Sequence, residues 1–176
     1  VQATFISLVP TMISEIFKEK DIDVFLKSVE TLVYGAAPIT EALLKKVLSK
    51  CPNINLIQIY GQTECTGPCL ILPSDRHTLS GTLAGKLSTA GKANMTSEVR
   101  IEQQDGVEAK RGIAGEILIR GPSTMLGYWK QPSLTSETLK EGWLHTGDIG
   151  VMDSEGYVTV VDRMKDMIVT GGENVF

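Results

Sequence analysis

Five consecutive residues, Tyr60-Gly61-Gln62-Thr63-Glu64, carry side chains that could together bind a nucleotide. An aromatic ring can stack on a base, a hydroxyl can donate to a phosphate oxygen, and a carboxylate can hold Mg²⁺. The other interpretation is an ordinary turn in which Thr63 and Glu64 start the next element. Taken alone, the five residues favour the turn.

A second acidic position, Asp148, ends the segment Gly142-Trp143-Leu144-His145-Thr146-Gly147-Asp148. This segment predicts a tight turn with Asp148 just after it. The carboxylate could accept hydrogen bonds from both hydroxyls of a ribose, or it could bond its own backbone as a turn residue. His145 is interpreted as a packed side chain and not as a general base, because the sequence shows no partner for it.

Two further patterns argue against other chemistries. Gly81-Thr82-Leu83-Ala84-Gly85-Lys86 is similar to a Walker loop, but only three residues separate its glycines and Leu87 follows the lysine, so a glycine-rich turn is predicted. The cysteines, Cys51, Cys65 and Cys69, are few and odd in number, and both histidines lie far from them. They predict neither a disulfide scaffold nor a zinc site.

The elements that would position these residues fall into two parts. Apolar runs at 4–9, 32–34 and 56–60 predict strands, and helices are predicted after Pro10 and after the N-cap residue Thr40. This alternation predicts an α/β portion with a parallel sheet, whose strand ends can carry a ligand.

The second part begins near residue 81, where glycines become frequent and strands short. It predicts a mostly antiparallel β-sheet or barrel. The predicted strands cover 99–101, 116–120, 149–152 and 157–161, and the segment 115–128 is interpreted as a strand, a turn and a packing aromatic.

Composition excludes several classes of protein. The 176 residues are 42% hydrophobic and 22% charged, which is typical of a globular protein. A net charge of −4 gives no footprint for nucleic acid, and no apolar run reaches the length of a transmembrane helix, so a cytoplasmic protein is expected. The chain starts without Met and ends on the apolar pair Val175-Phe176, which leads us to expect a piece of a longer protein.

Five segments occur in an order that resembles the adenylate-forming superfamily, which includes acyl-CoA synthetases, aryl-CoA ligases, peptide-synthetase adenylation domains and beetle luciferases. The segments are 34–38, 60–64, 115–128, 143–148 and 162–166. The ending Gly171-Gly172-Glu173-Asn174-Val175 is most similar to the fatty acyl-CoA or medium-chain acyl-CoA synthetases. The resemblance implies an α/β subdomain at 1–80, a β-rich barrel-like subdomain at 81–161, and a hinge with the start of a C-terminal domain at 162–176.

The resemblance also implies an activity. A carboxylic acid, expected to be a fatty acid, attacks the α-phosphate of ATP to give an acyl-adenylate and pyrophosphate, with Mg²⁺ present, and the thiol of coenzyme A then displaces AMP. By the same resemblance, Tyr60 would stack on adenine with Gly61 beside it, and Gly35, Ala36 and Ala37 would lie along the ring and the acyl pocket. Thr63 would bind the α-phosphate and Glu64 would hold Mg²⁺. Asp148 and Arg163 would bind the ribose, and Lys165 would be the pivot of the hinge.

Some family features are absent from the sequence. The resemblance places a phosphate-binding loop upstream and a catalytic lysine downstream, and neither occurs here, so the isolated chain is expected to be inactive and to lack parts of its own protein. Residues 93–96 replace a usual proline-containing turn. The alternatives are an adenylation domain or aryl-acid ligase that loads a carrier-protein thiol, or a non-catalytic nucleotide-binding relative.

Overall fold

The chain divides into two units, each of which packs internally. The computed structural model describes residues 2–19, 22, 26–163, 168–170 and 173–175. The first unit comprises Val1–Ile59, Leu72–Ser88 and Met167–Phe176, and the second comprises Tyr60–Ile71 and Thr89–Asp166. The proposed pivot residue Lys165 lies outside the described residues.

The first unit contains a parallel sheet of three strands in the order β1-β2-β3, where β1 is Phe5–Leu8, β2 is Thr31–Gly35 and β3 is Asn55–Gln62. In the register of the sheet, Phe5 of β1 pairs with Thr31 of β2, and Thr31 pairs with Asn55 of β3. Strand β3 begins in this unit, and its last three residues belong to the second. The predicted parallel portion is therefore confirmed.

Helices at 10–16 and 41–50 accompany these strands among the described residues. Helix α1 spans Pro10–Ile16 and has its proline in the first turn, where the missing N–H costs no helical hydrogen bond. Helix α2 spans Glu41–Lys50 and begins as predicted, since the Thr40 hydroxyl accepts from the Leu43 backbone N–H at 3.2 Å. Their apolar faces pack into the unit's core, which includes the buried side chains of Ile13, Phe17, Leu32, Leu44, Val47 and Leu56.

The second unit begins at Tyr60, within β3. A 3-10 turn at Thr63–Cys65 follows, and β4 (Gly67–Leu72) then pairs antiparallel with β5 (Lys92–Ala93), so that this sheet is mixed. Strand β4 is not predicted by the sequence, because it opens on glycine and proline, two residues that weaken a strand signal.

The larger sheet of the second unit is antiparallel and has the strand order β10-β9-β7-β6. Its strands are β6 (Glu98–Glu102), β7 (Ala114–Arg120), β9 (Trp143–Met152) and β10 (Val158–Arg163), and β8 (Leu139–Lys140) pairs with β9. Helix α3 spans Pro132–Thr138. The core of this unit includes Ile101, Ile117, Ile119, Leu144 and Val158, all of them buried.

Three local predictions differ from the structure. Asp148 lies within β9 and not after a tight turn, because the strand continues through Gly147 as a bulge. The strand predicted at 149–152 is the second half of β9. Residues 162 and 163, which the resemblance places at the start of the hinge, end β10. The remaining described elements, β11 (Ile168–Thr170) and β12 (Glu173–Val175), pair antiparallel.

None of the helices in the described part of the chain is long and apolar enough to cross a membrane.

A buried polar pair lies at the end of β2 in the first unit. The Tyr34 hydroxyl lies 2.8 Å from His77 Nε2, and His77 Nδ1 lies 3.0 Å from the Pro73 carbonyl oxygen. Because that carbonyl can only accept, Nδ1 carries the proton, and in the neutral ring Nε2 accepts from the Tyr34 hydroxyl. Burial lowers the pKa of His77, since it penalises the charged imidazolium.

We predict that this histidine destabilises the fold at acidic pH. In the unfolded chain its pKa is about 6.5, whereas in the folded chain it is lower, so its effect is absent above that pH and grows as the pH falls below it. The free energy of unfolding should drop by up to about 1.4 kcal/mol per pH unit from this group. Urea unfolding between pH 7.5 and 5 measures it.

Two variants separate this contribution from that of the carboxylates. His77→Gln should make the free energy of unfolding depend less on pH in the acidic range. His145→Gln, which changes the other histidine of the chain, should leave that dependence unchanged. A profile equally steep in His77→Gln and in the unchanged protein contradicts the prediction.

Candidate functional site

The second unit holds a buried carboxylate with three side-chain donors around it. Oδ2 of Asp148 accepts from the Tyr60 hydroxyl at 2.6 Å and from Gln62 Nε2 at 3.0 Å, and Oδ1 lies 3.2 Å from Nε of Arg163. The Asp148 side chain is only 7% exposed. A carboxylate withdrawn from water in this way needs such partners, because an unpaired buried charge is strongly unfavourable.

Strand geometry explains why these residues meet. Tyr60 and Gln62 are two residues apart on β3, so both side chains leave the same face of the strand. Arg163 is paired in register with Asp148, across β10 and β9. Regular secondary structure therefore brings together three side chains that are up to 103 positions apart in the sequence, from Tyr60 to Arg163 (163 − 60).

The bulge in β9 sets the position of Asp148. Glu116 of β7 pairs with Ile149 and Leu118 pairs with His145, so β9 uses four steps where β7 uses two. Gly147 within this insertion has φ of 71°, which a glycine adopts without strain. Bulges of this kind re-aim a side chain while the strand continues on both sides.

Two side chains hold the bulge in place. The Thr146 hydroxyl donates to the Ile117 carbonyl oxygen at 2.7 Å and accepts from the Asp148 N–H at 3.1 Å. Glu116 Oε1 accepts from the Gly147 N–H at 2.9 Å, and its Oε2 lies 2.8 Å from His145 Nδ1. The acidic partner of His145 is therefore Glu116, which lies on a neighbouring strand.

The phenol of Tyr60 acts as a hydrogen-bond donor in this cluster. Burial raises its pKa far above the ordinary value of 10, and the negative charge of Asp148 raises it further. The proton therefore stays on Tyr60 at any physiological pH, and the hydroxyl donates to the carboxylate.

Glu64 has a different environment in the same unit. Its Oε1 accepts from the Tyr128 hydroxyl at 2.8 Å, and its backbone carbonyl accepts from the Met125 N–H at 2.7 Å. Burial raises the pKa of Tyr128, as does the charge of Glu64. Thr63 is exposed at the start of the 3-10 turn.

The acidic residues limit which metal sites the unit can form. Among the described residues, no group of three or more His, Cys, Asp or Glu side chains could hold a metal ion. The Glu64 carboxylate can offer one oxygen to a Mg²⁺ ion that completes its shell with phosphate oxygens and water.

The small residues of the predicted site have structural reasons of their own. A Cβ at Gly61 would collide with the carbonyl oxygen of Gly67, and one at Gly35 would collide with that of Ile59. In the first unit, Ala36 follows Gly35 with φ of 64°, an uncommon conformation for a residue with a Cβ, and Ala37 is next in the chain. Close backbone packing thus requires both glycines without any ligand.

The structure brings together Tyr60, Asp148 and Arg163 of the predicted site residues, and it pairs Glu64 with Tyr128. The sequence analysis missed four contributors, which are Gln62, Glu116, Tyr128 and Thr146. Gln62 lies two residues after Tyr60 but beyond the predicted strand at 56–60, so its place beside Tyr60 follows only from the longer strand β3. Interpreting 115–128 as purely structural overlooked Glu116 and Tyr128, and no local signal connects either to its partner.

Comparison with known proteins gives a consistent result. Residues 1–129 match the family described as AMP-binding enzyme. The chain is 39% identical over 151 residues to a feruloyl-CoA synthase of an Amycolatopsis species, covering 86% of this chain and 29% of that protein. It is 38% identical over 170 residues to a medium/long-chain-fatty-acid–CoA ligase of Mycobacterium tuberculosis, covering 96% of this chain and 29% of that protein.

Solved structures agree with these relatives. An amide bond synthetase from Marinactinospora thermotolerans superposes with a TM-score of 0.89 at 31% identity, over 99% of this chain and 34% of the other. The o-succinylbenzoate coenzyme A synthetase of Bacillus subtilis, in complex with ATP and magnesium, gives 0.79 at 32% identity over the same shares. The chain spans about a third of the length of the proteins that it matches.

We predict that Glu116 stabilises the bulge on which Asp148 lies. Glu116→Ala removes the acceptor of the Gly147 N–H and the partner of His145, and it should lower the free energy of unfolding by about 1–3 kcal/mol. Glu116→Gln keeps an oxygen for Gly147 and offers an N–H to a neutral His145, so it should recover most of the loss.

The matched control is Glu98→Ala, which removes an exposed glutamate paired with Arg120 on the same sheet. Exposed ion pairs contribute little, so this variant should lose less than about 1 kcal/mol. Equal losses in urea unfolding for Glu98→Ala and Glu116→Ala would show that Glu116 has no special role.

Proposed function

This chain belongs to the family of AMP-binding enzymes, and from that membership we propose that it forms part of an AMP-forming acid–thiol ligase. In the proposed reaction a carboxylic acid attacks the α-phosphorus of ATP and pyrophosphate leaves, which gives an acyl-adenylate. The thiol of coenzyme A then attacks the acyl carbon and AMP leaves. The CoA ligases among its relatives support this reaction.

The observation that carries the proposal is the cluster around Asp148. Its buried carboxylate can accept from a ribose hydroxyl, and Tyr60, which donates to it, has an aromatic ring suited to stacking on adenine. Arg163 is exposed enough to turn from Asp148 toward a ribose oxygen. We therefore assign Asp148 and Arg163 to the ribose and Tyr60, with Gly61, to the base.

Thr63 and Glu64 are assigned to the phosphates. The Thr63 side chain is exposed and can donate its hydroxyl to an α-phosphate oxygen, while Glu64 can offer a carboxylate oxygen to Mg²⁺. Bound Mg²⁺ would offset the repulsion between the attacking carboxylate and the triphosphate. Gly35, Ala36 and Ala37 are assigned to the adenine and the acyl pocket on the family resemblance.

The substrate is proposed to be a fatty acid, as the relative from Mycobacterium tuberculosis supports. An aryl acid is the second candidate, favoured by the feruloyl-CoA synthase relative, whose identity to this chain is almost the same. A ligase that loads a carrier-protein thiol and a non-catalytic nucleotide-binding relative are the further alternatives. The cluster around Asp148 counts against the last of these, because a scaffold does not need a buried carboxylate.

The division into subdomains at 1–80 and 81–161, with a hinge at 162–176, remains part of this proposal. Lys165 is assigned to the pivot on the resemblance alone. Such a hinge would let a following domain rotate between adenylation and thioester formation, with a few residues absorbing the change in dihedral angles.

We predict acid-dependent ATP–pyrophosphate exchange by a chain lengthened at both ends to the size of the curated relatives, here called the lengthened chain. Fatty and aryl acids are tested separately, and exchange with fatty acids supports the first candidate. The 176-residue chain alone should give no exchange. A folded lengthened chain that binds ATP but exchanges with no acid would support the non-catalytic relative.

We predict that Asp148→Ala weakens ATP binding by about 1–3 kcal/mol in the lengthened chain, since a hydrogen bond to a charged group is lost. Titration calorimetry measures the dissociation constant. Asp105→Ala, which changes an exposed turn carboxylate in the same unit, is the control. An unchanged ATP affinity in folded Asp148→Ala would remove Asp148 from the site.

A further inference from the structure

Two buried thiols lie side by side where β3 passes into β4. Cys65 ends the 3-10 turn and is 1% exposed, and Cys69 is the third residue of β4 and is 0% exposed. Their sulfur atoms lie 3.5 Å and 3.7 Å, respectively, from one and the same atom, the carbonyl oxygen of Gly67. The Cys69 thiol also hydrogen-bonds to the Cys65 sulfur. The pair is therefore close enough for the two sulfurs to react with each other.

The backbone between the two cysteines sets this proximity. Thr66 has φ of 56° and Gly67 has φ of 139°, so two consecutive residues adopt left-handed conformations and the chain turns back on itself. The Thr66 N–H donates to the Thr63 carbonyl oxygen at 3.0 Å and closes the turn. Because a left-handed conformation is uncommon for threonine, the surrounding packing must hold it in place. The fold itself thus brings Cys65 and Cys69 together.

The two thiols differ in acidity. The hydrogen bond from Cys69 lowers the pKa of Cys65, and so does the Gln62 N–H, which lies 3.1 Å from the Cys65 sulfur; burial opposes both. Donating that hydrogen bond raises the pKa of Cys69, and burial raises it further. Because the thiolate is the nucleophilic form of cysteine, Cys65 is the thiol that attacks and Cys69 is the thiol that follows.

We propose that Cys65 and Cys69 form a modification site at which hydrogen peroxide converts two thiols into one intramolecular disulfide. The Cys65 thiolate attacks a peroxide oxygen, so an S–O bond forms, the O–O bond breaks, and the leaving hydroxide takes up a proton and becomes water. The Cys69 sulfur then attacks the Cys65 sulfur and loses its proton. The S–S bond forms, the S–O bond breaks, and a second water leaves. Two thiols lose two electrons in total, and one peroxide gains them.

Burial selects the reactant and the product. Only a small oxidant can reach these thiols through local opening of the turn, and a sulfenic acid formed there meets Cys69 before it meets a thiol from solution. The disulfide would form in the same turn as Thr63 and Glu64. This inference does not depend on the proposed ligase activity, because it concerns the chemistry of the two sulfurs alone.

Peptide mapping of the folded lengthened chain tests the proposal. A pulse of hydrogen peroxide is stopped with catalase, and the protein is then unfolded in urea, alkylated with iodoacetamide and digested with trypsin. Cleavage after Lys50 and Arg76 releases residues 51–76, which contain all three cysteines of the 176 residues. The reduced peptide takes three alkyl groups. The bridged peptide should take one, on Cys51, and dithiothreitol added before alkylation should restore all three.

Bridges between Cys65 and Cys69 should outnumber bridges to Cys51 by more than about tenfold in the folded protein, because proximity sets the partner. Cys51→Ala is the matched control and should leave the bridge intact. Cys65→Ala should leave Cys69 reduced, since the nucleophile is gone. Cys69→Ala should leave a sulfenic acid on Cys65, which dimedone captures at a yield more than about fivefold above that of the unchanged protein. Circular dichroism checks that each variant is folded.

Three results would overturn the proposal. One is a folded, peroxide-treated protein whose peptide 51–76 still takes three alkyl groups. Another is a folded protein that bridges Cys51 as often as it joins Cys65 to Cys69, since the fold would then not define the pair. The third is a folded Cys65→Ala variant in which Cys69 is oxidised as fast as in the unchanged protein, because Cys65 would then not be the attacking thiol. All three are read from the unchanged protein or a folded variant without any measurement of turnover.

Discussion

The buried charge of Asp148 is the constraint on which the second unit's candidate site depends. An ionised carboxylate in this position is stable only if donors replace the water that it has lost. Those donors come from β3 and β10, while the carboxylate itself belongs to β9. The three strands must therefore keep their register for the charge to stay satisfied, and the polar cluster is tied to the geometry of two sheets.

The bulge in β9 makes this arrangement compatible with a continuous sheet. Two extra residues keep the alternation of buried and half-buried positions in phase on both sides, since the side-chain period of a strand is two. Leu144 and Met152 therefore both remain buried although they lie on opposite sides of the insertion. The backbone groups released by the bulge are bonded by Glu116 and Thr146, so this part of the site is built before any ligand arrives.

The sequence predicted those features that follow from local periodicity and failed where distant partners decide. The three strands of the parallel sheet follow from apolar spacing and the cap at Thr40 from one side chain, and the structure confirms them. The position of Asp148 within β9 was mispredicted, because a Thr-Gly pair indicates a turn and a bulge of this length needs the neighbouring strand to define it. Glu116 is 29 positions from His145, and no residue near either one in the sequence indicates that the two are hydrogen-bonded.

The two acids of the candidate site, Asp148 and Glu64, are both bonded to tyrosine hydroxyls but differ in how freely they can rearrange. Asp148 is buried, accepts hydrogen bonds from two side chains and forms an ion pair with Arg163, so moving it would break several interactions together. Glu64 is only half-buried, and the side chain that holds it is the neutral phenol of Tyr128.

A rigid acceptor suits a neutral hydroxyl whose position selects the ligand. A loosely held carboxylate suits a cation that arrives with the phosphates, because it can exchange a weak neutral donor for a charged partner. The contrast follows from burial and donor number alone, and it supports the proposed roles of Asp148 at the ribose and of Glu64 at the phosphates, 84 positions apart (148 − 64).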